Sequence, residues 1–236
     1  MERSDATELT LEVLQEYETA AIENASELLV EASILLKHEH FSRAYFLSVA
    51  AIEEIGKAVI AFDARGHNLR DSAVQSKLLK MMADHKSKIR AAFTGFLAAD
   101  PRKNLEVAVK LMIALQYGRE PSMYTDLTSS GSVQSPKGAV RTKAAADCVR
   151  LAHDCFASAT NHLANAKPHV RTQDQSRWFT SKSSETMKIM NDSDFWWYFI
   201  SRMEIGEKDM AAAYVAYKRG FLDKGLRFKQ DDEGEG

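Results

Sequence analysis

Glu53, Glu54 and Lys57 are the only charged residues in the stretch Ala44–Phe62, AYFLSVAAIEEIGKAVIAF. Phe41, Tyr45, Ser48, Ile52, Ile55, Val59 and Phe62 recur at steps of four and three, which is one face of a helix. Glu53 and Lys57 fall one turn apart on another face, shared with Phe46 and Ile60. The helix is therefore apolar nearly all round, and its charges are expected to lie against other protein. Charge placed there carries a desolvation cost, so it must be paired, and such places are enriched in function. A second cluster, Asp84-His85-Lys86-Ser87-Lys88, puts His85 and Lys88 at i, i+3 on one helical face. If the two helices are antiparallel neighbours, His85 and Lys88 meet Glu53, Glu54 and Lys57. A carboxylate beside an imidazole holds its tautomer for acid–base work, and nearby lysines neutralise a phosphoryl group as charge develops. Together these groups would make a metal-independent ribonuclease site. The structural alternative is an i, i+4 Glu53–Lys57 pair, worth about 0.2–0.5 kcal/mol when exposed, together with a satisfied core histidine.

Other chemistries lack their residues. There is no Glu-x-x-His pair for a ferritin-like di-iron centre, no His-Glu-x-x-His and no Cys-x-x-Cys, so neither a metal nor a cofactor is expected. Gly56-Lys57 has no glycine-rich turn upstream to cradle phosphate, and a nucleophilic serine elbow is missing.

The elements that must position these groups are helices. The first is expected from about Thr7 to Lys37, capped by Asp5 with Glu8. Leu14, Ala21, Leu28 and Leu35, with Ala25 and Ala32 between them, form its packing seam. His38-Glu39-His40 turns into the second helix, Phe41 to Ala64, closed by Gly66. A third runs from Asp71 or Ser72 to Ala99 through Val74, Leu78, Met82, Ile89, Phe93 and Phe96, with His85 pointing inward. Asp100-Pro101 starts a fourth, Arg102 to Gln116. Tyr117–Lys137 is a polar connection of a length that is usually functional or mobile. Ser135-Pro136 opens a helix to about Ala166, Lys167–Ser183 reads as a loop, and Ser184–Phe228 is helical with a break near Gly206. Phe195-Trp196-Trp197-Tyr198-Phe199 points in every direction around its helix, so part of it must cover a neighbour or a partner, with Trp196 and Trp197 as interface candidates. No strand is required. The expected organisation is all-α: a bundle over 1–166, a linker over 167–183, a C-terminal helical extension over 184–228 and an acidic disordered tail over 229–236.

A chain of 236 residues with 11 Gly and 4 Pro favours long helices over many short strands. With 31 basic and 33 acidic residues the net charge is −2, which argues neither for nor against nucleic acid. Between Pro136 and Lys188, however, nine basic residues face four acidic ones, a pattern that fits either a phosphate backbone or an ordinary solvated face. Cys148 and Cys155, seven apart on one helix, are too far for a disulfide and read as reduced core thiols of a cytosolic protein. No signal peptide opens the chain, and three charges in the second helix argue against a membrane span.

The order HFSRAYFLSVAAIEEIGKAVIAF, then DHKSK, then YGREPSMYTDL resembles the AbiV family of bacterial abortive-infection proteins, grouped with the HEPN superfamily of helical domains. The family's Glu-Glu-x-x-Lys matches Glu53, Glu54 and Lys57. Its His-Lys-x-Lys matches His85, Lys86 and Lys88, and its basic residue ahead of Tyr-x-Asp matches Arg119, Tyr124 and Asp126. The resemblance covers about residues 15–128. It implies an antiphage effector that arrests translation, built as an HEPN-like antiparallel bundle that pairs into a homodimer. It also implies RNA and a phage-encoded activator as partners. Many HEPN proteins cleave RNA without metal through Arg-x(4–6)-His. Here no arginine stands at that spacing before a histidine, and Lys80 takes the position ahead of His85. On the ribonuclease reading His85 is the acid or base, Glu53 or Glu54 orients it, and Lys57, Lys86, Lys88, Arg119, Tyr124 and Asp126 hold RNA. On the alternative reading the chain is a non-catalytic sensor that binds a phage protein or a translation component, the same cluster is a polar lock, and the aromatics near Trp196 make the contacts.

Overall fold

A computed structural model describes residues 8–99, 115, 122–127, 129–190, 192–207 and 209–228, with the side chains of residues 94–99, 183, 187, 190 and 193 left aside. The described residues are overwhelmingly helical. They divide into two units, one within Met1–Leu69 and Gln75–His169, the other within Arg70–Val74 and Val170–Gly236.

In the first unit, α1 spans Leu11–Lys37 and α2 spans Phe41–Ala64. The α1 cap is Thr10, whose hydroxyl accepts from the Val13 N–H at 3.2 Å, and not the Asp5–Glu8 pattern, of which Asp5 lies outside the described residues. Along α1 the buried residues are Leu14, Ala21, Ala25, Leu29 and Ala32. The alanines let α2 come close, and α2 in turn is buried on almost every side. The turn between them places Glu39 at φ 59°, a left-handed conformation rare for a residue with a side chain. Gly66 follows the end of α2 at Ala64, as expected, without adopting a positive φ. A Cβ there would sit 1.9 Å from the His169 carbonyl oxygen, so the glycine permits a close backbone approach.

The helix expected over 72–99 is two helices, α3 (Ser72–Ala83) and α4 (His85–Ala99). Asp84 divides them. Its carboxylate accepts from the Ser87 N–H at 2.8 Å and from the Ser87 hydroxyl at 2.6 Å, an N-cap that competes with helix continuation. The expected Arg102–Gln116 helix lies outside the described residues apart from Leu115, which is buried in the core. The polar connection, read without strands, holds a small antiparallel ribbon, β1 (Asp126–Leu127) and β2 (Val133–Gln134), with Asp126 opposite Gln134. The helix expected from Ser135 is a single turn, α5 (Pro136–Ala139), then α6 (Thr142–Asn165), because Val140 and Arg141 are extended.

Helices α1, α2, α4 and α6 share one apolar core that includes Leu29, Val49, Ile52, Ile55, Phe93 and Leu151. Cys148 lies beside the Tyr45 carbonyl at 3.9 Å, and the rings of Phe62 and His162 meet edge-on at 5.4 Å. These two contacts, far apart along both helices, make α2 and α6 parallel. Cys148 and Cys155 are buried free thiols; burial pushes Cys148 well above the usual range and Cys155 up to about 12.

In the second unit the stretch read as a loop contains α7 (Gln173–Thr180), started by a Thr172–Gln175 capping box. It is followed by α8 (Ser183–Met190), α9 (Ser193–Glu204), α10 (Met210–Gly220) and a 3-10 turn at Leu222–Lys224. Gly206, at φ 89°, ends α9 where a break was expected. Phe195, Tyr198 and Phe199 point into an aromatic core with Tyr214, Tyr217, Phe221 and Phe228, whereas Trp196 and Trp197 are 37% and 48% exposed. Buried Asp194 accepts from the Tyr217 hydroxyl and the Phe228 N–H, both at 2.8 Å. This bond ties the end of the described chain onto α9. The tail from 229 lies outside the described residues. Among the described residues no helix is long and apolar enough to cross a membrane.

Candidate active site

Glu53 is the centre of the polar cluster. Its side chain is 6% exposed, and one oxygen, Oε2, receives the Lys88 ammonium at 2.7 Å and the His85 Nδ1 at 2.8 Å. Lys88 is 7% exposed and His85 is 52% exposed. A buried carboxylate thus neutralises a buried ammonium and also grips a half-exposed imidazole. With Nδ1–H donating to the carboxylate, the Nε2 lone pair is left to face an incoming group. Such an arrangement can serve as a carboxylate-oriented base.

Two features of the chain place α4 against α2 at this point. Asp84 starts α4 so that His85 is its first residue. Gly56 then removes the side chain that would block it, since a Cβ at Gly56 would lie 1.9 Å from the Lys88 carbonyl oxygen. The α4 backbone therefore rests on α2 one turn from Glu53. The sequence reading named both residues but gave neither this role. The signal for Gly56 was a glycine inside an otherwise strong helix, which costs about 1 kcal/mol relative to alanine and often marks a close approach. The signal for Asp84 was an Asp-x-x-Ser cap inside an unbroken apolar stripe.

The intrahelical pair differs from the expected Glu53–Lys57. Lys57 binds Glu54 at 2.5 Å, at i, i+3, because Lys88 and His85 occupy Glu53. Tyr17 of α1, a residue missed in the sequence, completes this side. Burial raises its pKa, opposed by the Lys57 charge and reinforced by Glu54. Burial alone would lower Lys57, but the Glu54 hydrogen bond and charge, with Tyr17 and Glu53, hold it above its ordinary value. Glu53 and Glu54 are thus each held by a lysine, Lys88 and Lys57 respectively, beside His85.

The remaining expectations divide. His85 meets Glu53 as foreseen, but it is half-exposed and not turned inward. Lys88, read as a phosphate holder, is instead the buried counter-ion of Glu53. Lys86 is exposed on α4, with its carbonyl accepting from the Arg90 Nε at 3.2 Å. Arg119 lies outside the described residues. Tyr124 is exposed, and Asp126 accepts from the Leu127 N–H at 2.8 Å; neither bonds Glu53, His85 or Lys88 among the described residues. No group of three or more His, Cys, Asp or Glu suited to a metal ion occurs among the described residues.

The HEPN_AbiV family model, described as AbiV, matches residues 13–157. The chain belongs to the AbiV family. The match contains Glu53, Glu54, Lys57, His85 and Lys88 and runs past the 15–128 resemblance into α6. The all-α, HEPN-like bundle follows from membership and coordinates together, and membership suggests antiphage defence by abortive infection. No curated protein and no solved structure matches the chain.

Proposed function

We propose that this AbiV-family chain is an antiphage effector that arrests translation by cleaving RNA without a metal, with His85 as the general base. The observation that carries this reading is the 2.8 Å contact of the His85 Nδ1 with buried Glu53 beside a half-exposed ring. In the reaction Nε2 takes the proton of an RNA 2′-hydroxyl. The 2′ oxygen then attacks phosphorus, the bond to the 5′ oxygen breaks, and that oxygen takes a proton from solvent. The products are a 2′,3′-cyclic phosphate and a 5′-hydroxyl end. Glu53 fixes the tautomer, and Lys88 keeps the buried carboxylate compensated. A homodimer is part of the reading, with Trp196 and Trp197 as interface residues exposed enough to serve. A phage-encoded activator and a cytoplasmic location complete it.

A second reading has its own support. The buried Glu53–Lys88 pair is also what a polar core lock looks like, and a chain built on it would act by binding a phage protein or a translation component.

Incubation of the purified protein with total RNA and tRNA in EDTA separates the two readings. Cleavage by the natural chain that disappears in His85→Ala, with cyclic-phosphate ends in the products, supports the ribonuclease. No cleavage by the natural chain, with phage protection intact in His85→Ala cells, favours the binder.

A further inference from the structure

Among the described residues the carboxylates of Glu53 and Glu54 are held by the Lys88 and Lys57 ammoniums, so an RNA strand would gain from further positive charge on the first unit. Because α2 and α6 are parallel, their first turns lie at the same end, and neither contains an acid. Arg43 on α2, Lys137 on α5, Arg141 ahead of α6 and Lys143 within it are all exposed there. None of the four enters an ion pair among the described residues. Among the described residues the nearby acids are Asp147, bound by Arg150 at 2.8 Å, exposed Asp126 opposite Gln134 on the ribbon, and Glu39 in the turn before α2. The ribbon pairs Asp126 with Gln134, two residues before α5 begins, and Tyr124, two residues before Asp126, is 59% exposed. An exposed aromatic among cations suits a stacked base with its phosphates better than an acidic protein.

We infer that Arg43, Lys137, Arg141 and Lys143, with Tyr124, form a docking surface for single-stranded RNA. This surface rests on the ribonuclease reading for its purpose but not for its binding. Arg43 and Glu53 are ten residues apart on α2, about 15 Å, so a strand held here reaches the imidazole within a few nucleotides.

The test is anisotropy of the full chain with a fluorescein-labelled 2′-O-methyl RNA, which cannot cleave by 2′ attack. Titrations span about 50 to 200 mM salt. Arg141→Glu/Lys143→Glu should weaken binding about tenfold or more and flatten the log–log salt slope by about 0.7 per residue removed. Tyr124→Ala should weaken it at least about fivefold, the low end for a base stacked on an aromatic ring. Arg141→Gln/Lys143→Gln keeps the measurement readable if charge reversal perturbs folding. Arg219→Glu/Lys224→Glu makes the same charge change in the second unit and should alter affinity less than about twofold. No binding by the natural chain, or equal losses in both charge-reversal variants, overturns the surface. Binding that depends on Arg141 and Lys143, in a chain that never cleaves natural RNA, upholds the surface and removes the ribonuclease. His85-dependent cleavage with binding indifferent to Arg141 and Lys143 does the reverse.

Discussion

Glu53 serves two partners through a single oxygen, and the cost of losing it depends on which partner remains. Glu53→Ala strands the Lys88 ammonium in a buried site and should lower stability by about 3–5 kcal/mol in urea melts. Glu53→Leu with Lys88→Met removes both charges and should recover most of that loss. Asp84 offers a pH test. The Ser87 hydroxyl, against modest burial and helped by the Ser87 N–H, Arg90 and His85, holds its carboxyl below the ordinary 3.8. A depressed acid stabilises the fold above its unfolded pKa, and the contribution fades as pH falls through the folded value. Asp84→Ala should therefore cost about 1 kcal/mol at neutral pH, a gap that closes in acid melts below the ordinary aspartate range. A gap that persists there would deny the carboxylate its capping role. The sequence disclosed which residues gather here but not their pairing. Glu54 satisfies the i, i+3 geometry to Lys57 as well as Glu53 satisfies i, i+4, and only the tertiary approach of Lys88 decides between them.

Helix α2 was legible at both ends because its flanks turn sharply and its apolar character is continuous. The break at Asp84 was not, because Val74, Leu78 and Met82 run into Ile89 and Phe93 as though one helix carried them. Hydrophobic periodicity reports faces, and two successive helices can keep a common rhythm across a cap. Gly56 governs how close α4 comes. Gly56→Ala pushes a methyl onto the Lys88 backbone, where no side-chain rotation relieves it. The expected loss is about 1–3 kcal/mol by chemical denaturation. Because α4 must lift away from Glu53, RNA cleavage should fall more than the loss of folded protein explains. A variant as stable and as active as the natural chain would show that the close approach is dispensable.

The two units carry different parts of the account. The family match ends at residue 157, inside α6, and the core of the aromatic second unit, which lies beyond it, was legible only as a run of rings. Burial sorts that run, with Phe195, Tyr198 and Phe199 inside and both tryptophans partly outside, a division that adjacency alone cannot give. The loop reading of 167–183 failed because α7 is short and polar, held by its capping box more than by an apolar face. In the first unit the thiols report on global integrity. With Cys155 pushed up to about 12 and Cys148 higher than usual, both stay protonated at neutral pH. Ellman's reagent should label them only at the rate of unfolding; rapid labelling of the native chain would contradict the packed core.

The most direct measurement is the rate of tRNA cleavage in EDTA by the natural chain, His85→Ala and Glu53→Leu/Lys88→Met, each at the same folded fraction. Cleavage by the natural chain, abolished in His85→Ala and severely reduced in the well-folded double variant, is the predicted result. An inactive natural chain, or a double variant as fast as the natural one, would contradict the claim that Glu53 and His85 are a catalytic pair.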